Sequence, residues 1–298
     1  MNKEKNEKSA IAAERIKHMK KANVIVISGQ SNAVGCSYVD CLPKHFSEEQ
    51  IQKWDNGYEN VKINYYSHNK KSGVFEKTAF YCTAMDEGTF GPEVGIAETL
   101  DKKYPGKEFF IVKCAFGGVT LHRDFLPPSA SDRYDPLAFA EQDDGVFVSG
   151  KPGWCYNELV RLLSESIAEL EKSGYEPGIT AFCWMQGESD ANSEEATVSY
   201  AHNYDAMIRD FKTDFSPYIN GCTFIDAGIS TVWERYERMN EIKREYAENH
   251  PDCVFIDTIG EGLNTLNEPF DEPDIGHYDS DSMIKLGRLF AAAIPDIK

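Results

Sequence analysis

Acyl transfer at a serine needs a nucleophile, a base to take its proton, and an acid to orient the base. This chain offers a candidate for each. Ser31 follows the apolar run Val24–Ile27 and the short Ser28-Gly29-Gln30 segment. A brief β-branched run that ends in small and polar residues reads as a strand buried on both faces of a parallel sheet. Ligands of such sheets bind beyond the carboxyl ends of the strands. A serine there is a candidate nucleophile, although Gly-Ser turns after strands are common without one. The chain has seven histidines. His18 lies in a basic segment, His45 and His68 in irregular polar context, His202 on a helix beside Tyr200 and Tyr204, and His250 before a proline. These five read as solvated or packed. His277 differs, because Asp274-Ile275-Gly276-His277 forms a loop just before the last helix. An Asp so placed can turn its carboxylate back to Nδ1, fixing the tautomer and leaving Nε2 for the nucleophile. Helix capping is the competing role for Asp274, but Asp279 and Ser280 stand nearer the helix for that task.

Two further glycine-bearing loops follow apolar runs. Phe109–Ala115 leads into Phe116-Gly117-Gly118-Val119-Thr120, and Ile179–Trp184 leads into Met185-Gln186-Gly187-Glu188-Ser189-Asp190. A developing oxyanion needs donors aimed at it. A glycine N–H can approach closely, and a glutamine amide is a suitable second donor. Gly117-Gly118 as a plain strand-to-helix turn is the alternative.

The elements that must position these residues alternate along the chain. Apolar strand-like runs are Val24–Ile27, Val61–Tyr66, Phe109–Ala115, Ile179–Trp184, Gly221–Ala227 and Cys253–Ile259. Helix-like stripes fall at Pro92–Leu100, Asn157–Lys172, Ser193–Phe211, Trp233–Tyr246 and Ser282–Ala293. Alternation predicts a three-layer α/β/α domain around a parallel sheet of about five strands. Residues 1–22 read as a charged arm or helix, and residues 23–298 as a single domain. Two sections, Val39–Gly57 and Arg123–Gly153, are expected to be irregular.

At this point the chain resembles an SGNH hydrolase. More narrowly, it resembles the sialate O-acetylesterase-like branch that includes acetylxylan esterases of carbohydrate esterase family six. Gly29-Gln30-Ser31-Asn32, Trp184-Met185-Gln186-Gly187-Glu188 and Asp274 with His277 match that branch's blocks in order. Gly91-Pro92-Glu93 and Gly117-Gly118-Val119-Thr120 match as well. The resemblance implies an SGNH, flavodoxin-like fold. It implies Ser31 as nucleophile and N–H donor, Gly118 as second N–H donor, and Gln186 as side-chain donor. His277 is then base and acid, with Asp274 orienting it. Glu188 either assists the histidine or holds its loop as a buried carboxylate. His122 and Arg123, in the loop after Gly118, are candidate substrate contacts or merely exposed. Ala33 stands where Met is frequent in the branch. The implied reaction is removal of O-acetyl groups from a small carbohydrate, such as an acetylated xylo-oligosaccharide or a sialic-acid-like sugar. A longer-chain lipase or thioesterase, and a non-catalytic carbohydrate-binding protein, are the competing readings.

A formal net charge of −18 argues against nucleic acid and anionic membrane surfaces as partners. No metal-ligand pattern, dinucleotide fingerprint or phosphate loop is present, so no cofactor or metal is expected. The eight cysteines contain no C-x-x-C pair and read as reduced, packed thiols. No apolar run of signal-peptide length follows the charged N-terminal segment, and none reaches about eighteen residues. A cytoplasmic protein is therefore expected.

Overall fold

The computed structural model describes residues 19–80, 88–143, 146–148 and 150–297. All six apolar runs form strands: β1 (Lys20–Gly29), β2 (Tyr58–Ser67), β3 (Phe109–Ala115), β4 (Tyr175–Met185), β5 (Ile219–Ala227) and β6 (Cys253–Ile256). They pair in the order β6-β5-β4-β1-β3-β2, every neighbour parallel. The parallel sheet thus has six strands against about five expected, and two short antiparallel strands, Lys70–Lys71 and Glu76–Thr78, pair with β2 beside it. β1 begins at Lys20, inside the segment read as a charged arm, and residues 1–18 of that arm lie outside the described residues.

Burial of β3 throughout, and of β1 from Val24 to Gly29, requires cover on both faces of the sheet. The helices supply it: α1 (Ser31–Val34), α2 (Glu48–Asn56), α3 (Glu93–Lys103), α4 (Trp154–Lys172), α5 (Glu188–Ala191), α6 (Glu194–Asp214), α7 (Tyr236–Asn249) and α8 (Ser280–Ala293). Strand register assigns them to layers, because successive side chains along a strand alternate faces. Ser28 pairs with Cys114 and Trp184, and Trp184 with Asp226. That face meets α4 through Asn64 Nδ2 to Ser166 Oγ (2.9 Å), α6 through Phe182 on Phe211 (centroids 4.8 Å), and α7 through Lys243 Nζ to Asp226 Oδ1 (2.7 Å). The opposite face carries Lys113, which reaches Glu93 of α3, and α3 packs along α8.

The section Val39–Gly57 is not irregular. It holds a 3₁₀ segment, Val39–Lys44, and α2. Trp54 is the one residue of α2 that is buried, so no apolar stripe marks it. A capping box between Ser47 and Gln50 starts the helix instead. The described residues of the section Arg123–Gly153 form turns and two short antiparallel strands, Glu141–Asp143 paired with Val146–Val148. Asn157 of α4 anchors it by donating to the carbonyls of Asp135 (2.9 Å) and Ala138 (2.6 Å). The seven described cysteines are free thiols, and Cys82 lies outside the described residues. No described helix is long and apolar enough to cross a membrane.

Phe182 is fully buried and meets Phe211, Phe224 and Trp184, tying α6 to β4 and β5. Phe182→Ala is expected to lower stability by about 3–5 kcal/mol in urea denaturation. A loss below about 1 kcal/mol would contradict this packing.

Candidate active site

β1 ends where its neighbour leaves no room for a side chain. Gly29 has φ of +139°, and a Cβ there would lie 1.9 Å from the Met185 carbonyl oxygen. The chain turns, with Gln30 N donating to Met185 O at 2.9 Å, and Ser31 opens the single turn α1. Chain connections leave β1 toward β2 on one side and β4 toward β5 on the other. The carboxyl ends of β1 and β4 therefore flank the crevice where such sheets bind ligands. Ser31 sits there, 7% exposed. The first N–H groups of a helix lack intrahelical acceptors, so the Ser31 N–H has no partner in its own turn.

The loop before α8 is brought to the same crevice. Asp274 Oδ2 lies 2.6 Å from His277 Nδ1, and its other oxygen accepts from Gly276 N at 3.2 Å. One carboxylate thus closes the turn and holds the imidazole, directing Nε2 away from the acid. Asn32, next to Ser31, takes hold of this loop from below. Its amide donates to Gly276 O (3.3 Å) and to Glu188 Oε1 (2.9 Å), while its oxygen accepts from Tyr278 N (3.0 Å). The residues on either side of His277 are therefore bonded to the residue after Ser31. Asp279 precedes α8 without a capping bond from its side chain, which receives Asn267 N (3.2 Å) and Glu268 N (3.1 Å). Glu268 Oε2 takes Ser280 N at 2.6 Å, so a residue distant in sequence serves the helix start.

Glu188 is fully buried at the start of α5. Burial raises its carboxyl above the ordinary range, opposed by the Asn32 bond and by the fields of Lys243 and His277. Its Oε1 accepts from Asn32, which in turn bonds the histidine loop.

Gly118 lies in a turn after β3 with φ of +70°, exposed, with open space where a Cβ would stand. The turn is held from below by Asp190. Its oxygens accept from Leu121 N (2.9 Å), His122 N (3.0 Å) and Gln186 Nε2 (2.5 Å). Asp124 closes the next corner, accepting from Thr120 N (2.9 Å) and Trp154 Nε1 (3.0 Å). Asn32, Asp190 and Asp124 are supports of this crevice to which sequence reasoning gave no role, although Asn32 stands in the Gly29–Asn32 block. Asp190 had one visible signal, its place at the end of the Gln186–Asp190 block.

Gln186, expected as a side-chain donor, is held by other groups in this structure. It is fully buried, and its Nε2 faces Asp190 Oδ2, Val119 O (3.2 Å) and Gln30 Oε1 (3.3 Å). Two amide hydrogens meet three acceptors, one of them a carboxylate, and charged acceptors hold donors most strongly. The side chain therefore joins the Ser31 turn to the Gly118 loop. Arg123 is also engaged, by Asp124 Oδ1 (2.6 Å) and Gly150 O (2.8 Å), and it pins the following loop. His122 Nδ1 meets Ser199 Oγ at 2.9 Å, with its Nε2 3.7 Å from Glu195. Among the described residues no group of three or more His, Cys, Asp or Glu could hold a metal ion.

Burial raises the Asp190 carboxyl from 3.8 to about 6, against the lowering by its three hydrogen bonds. An acid raised in the folded state holds more protons folded than unfolded between those values, so its stability contribution declines as pH rises through them. The stability advantage of the wild type over Asp190→Asn is expected to widen by about 2–3 kcal/mol as pH falls from 7 to 4. Urea denaturation at each pH reads this, and an advantage that narrows toward pH 4 would refute it.

This geometry can be set beside known proteins. No curated protein matches the sequence. Among solved structures, an Arabidopsis thaliana protein superposes with a TM-score of 0.62 at 18% identity, covering 91% of this chain and 96% of that one. NanS superposes with a TM-score of 0.60 at 19% identity, covering 92% and 97%. A carbohydrate acetylesterase from Xanthomonas citri gives 0.54 at 14%, covering 90% of this chain and 54% of that one. These likenesses show a shared α/β fold. The family model described as carbohydrate esterase, sialic acid-specific acetylesterase, matches residues 21–296. The chain belongs to that family, and is a carboxylic ester hydrolase acting on carbohydrate esters.

Proposed function

We propose that the chain is a serine O-acetylesterase of small acetylated carbohydrates. The observation that carries this reading is the Asn32 bridge, which ties both neighbours of His277 to the turn that begins with Ser31. Ser31 Oγ attacks the acetyl carbonyl while His277 Nε2 takes its proton. Asp274 stabilises the resulting imidazolium through Nδ1–H. The oxyanion is met by the backbone N–H groups of Ser31 and Gly118. Collapse expels the sugar oxygen, protonated by His277, and leaves an acetyl ester on Ser31. Water, deprotonated by the same histidine, repeats the sequence and releases acetate.

The leaving group must sit on the histidine side. There Ile275 is 53% exposed, and the Trp233 ring lies 3.7 Å from where a Cβ on Gly276 would be. An apolar and aromatic border suits the C–H face of a sugar ring. The chain's strong negative charge gives no reason to expect an anionic polymer surface as partner.

Acetate release across acetylated xylo-oligosaccharides, O-acetyl sialic acids and nitrophenyl esters of increasing chain length tests the proposal. Turnover highest on an acetylated sugar, and reduced at least about 10³-fold by Ser31→Ala with the fold intact, is expected. A maximum on octanoate esters, or full activity in Ser31→Ala, would overturn it.

A further inference from the structure

The nucleophile turn has a second anchor at its far end. The carbonyl of Val34, the last residue of α1, accepts from Lys113 Nζ at 2.7 Å. The same ammonium lies 2.6 Å from Glu93 Oε2, and Glu93 Oε1 accepts from Gly91 N at 3.2 Å. Lys113 is 0% and Glu93 1% exposed. The charges occupy space that a side chain would fill. A Cβ on Gly91 would lie 2.6 Å from Glu93 Oε2, 2.8 Å from Lys113 Nζ and 3.1 Å from Val34 O. Three pieces of the molecule meet here: the turn carrying Ser31, the strand leading to Gly118, and the start of α3.

A buried ion pair is weak support for stability, since well-packed apolar residues often replace it without loss. It does fix geometry, because charge-assisted hydrogen bonds are short and directional. Lys113 stands on β3, five residues before Gly118, and grips α1 three residues after Ser31. We infer that Lys113 and Glu93 are positioning residues that set the separation between the Ser31 nucleophile and the Gly118 N–H. The inference rests on the reading of Ser31 as nucleophile. Displacement of a reacting group by about 1 Å can cost about 100-fold in rate.

Steady-state hydrolysis of p-nitrophenyl acetate tests the pair, together with melting temperature and the rate at which a fluorophosphonate labels Ser31. The double variant Lys113→Met, Glu93→Leu removes both charges and leaves neither orphaned. It is expected to melt near the wild type, keep KM within about twofold, and lose about 10–100-fold in kcat and in labelling rate. Glu93→Gln keeps an acceptor for Lys113 but loses the charge, and is expected to fall only several-fold in kcat. A folded double variant with wild-type kcat would overturn the inference. So would a lowered melting temperature with unchanged kcat per folded molecule, the signature of a purely structural pair. Should the double variant not fold, Glu93→Gln decides: a several-fold fall in kcat at constant KM supports the pair, and no fall overturns it. Wild-type protein lacking both turnover and Ser31 labelling would instead sink the esterase reading itself, and the positioning role with it.

Discussion

The parallel register that sets Gly29 beside Met185 brings Ser31 and Gln186 to the same edge of the sheet, each just past its strand end. The backbone bond from Gln30 N to Met185 O fixes the two strands there, and Gln30 Oε1 adds contacts to Gln186 and to Ser189 N. A slip of one residue would turn the side chains of β1 to the opposite faces. With β1 doubly buried, such a slip is opposed along its whole core segment. The register therefore determines where the Ser31 turn, the Gly118 loop and the histidine loop can meet.

Hydrogen-bond accounting in the buried crevice does the rest. Polar groups removed from water must find partners. Asn32, Gln186, Glu188 and Asp190 are all 2% exposed or less, and between them they bind the ends of β1, β3 and β4 and the loop before α8. Each bond ties segments far apart in sequence, so the loops are held in one arrangement before any substrate arrives. Preorganised donors of this kind are what lower a barrier that develops negative charge. The candidate site is thus built on strand ends and one-turn helices, with its supports beneath Ser31 and His277.

Much of this was legible in the residues. Doubly buried strands leave β-branched runs, and all six runs became strands. Asp274 and His277 are only three residues apart, so their pairing could be read locally. Other features could not. Helix α2 buries only Trp54 and leaves no stripe, and its capping box alone betrays it. Asn32 meets Tyr278 across 246 positions, Asp190 meets Leu121 across 69, and Lys113 meets Val34 across 79. Local pattern carries no record of such contacts. The acceptors around Gln186 Nε2 come from other segments, Gln30, Val119 and Asp190, and the block Trp184–Asp190 alone does not display the first two. A lysine amid Phe109–Ala115 and the Gly91-Pro92-Glu93 block were visible, but not their pairing across 20 positions.

The central claim is that Ser31 is a nucleophile activated by His277. The direct measurement is the site of covalent modification after brief exposure to a fluorophosphonate, read by peptide mass mapping. A single adduct on Ser31, formed far more slowly in His277→Ala, is the predicted result. An adduct on another residue, or a labelling rate independent of His277, would contradict it.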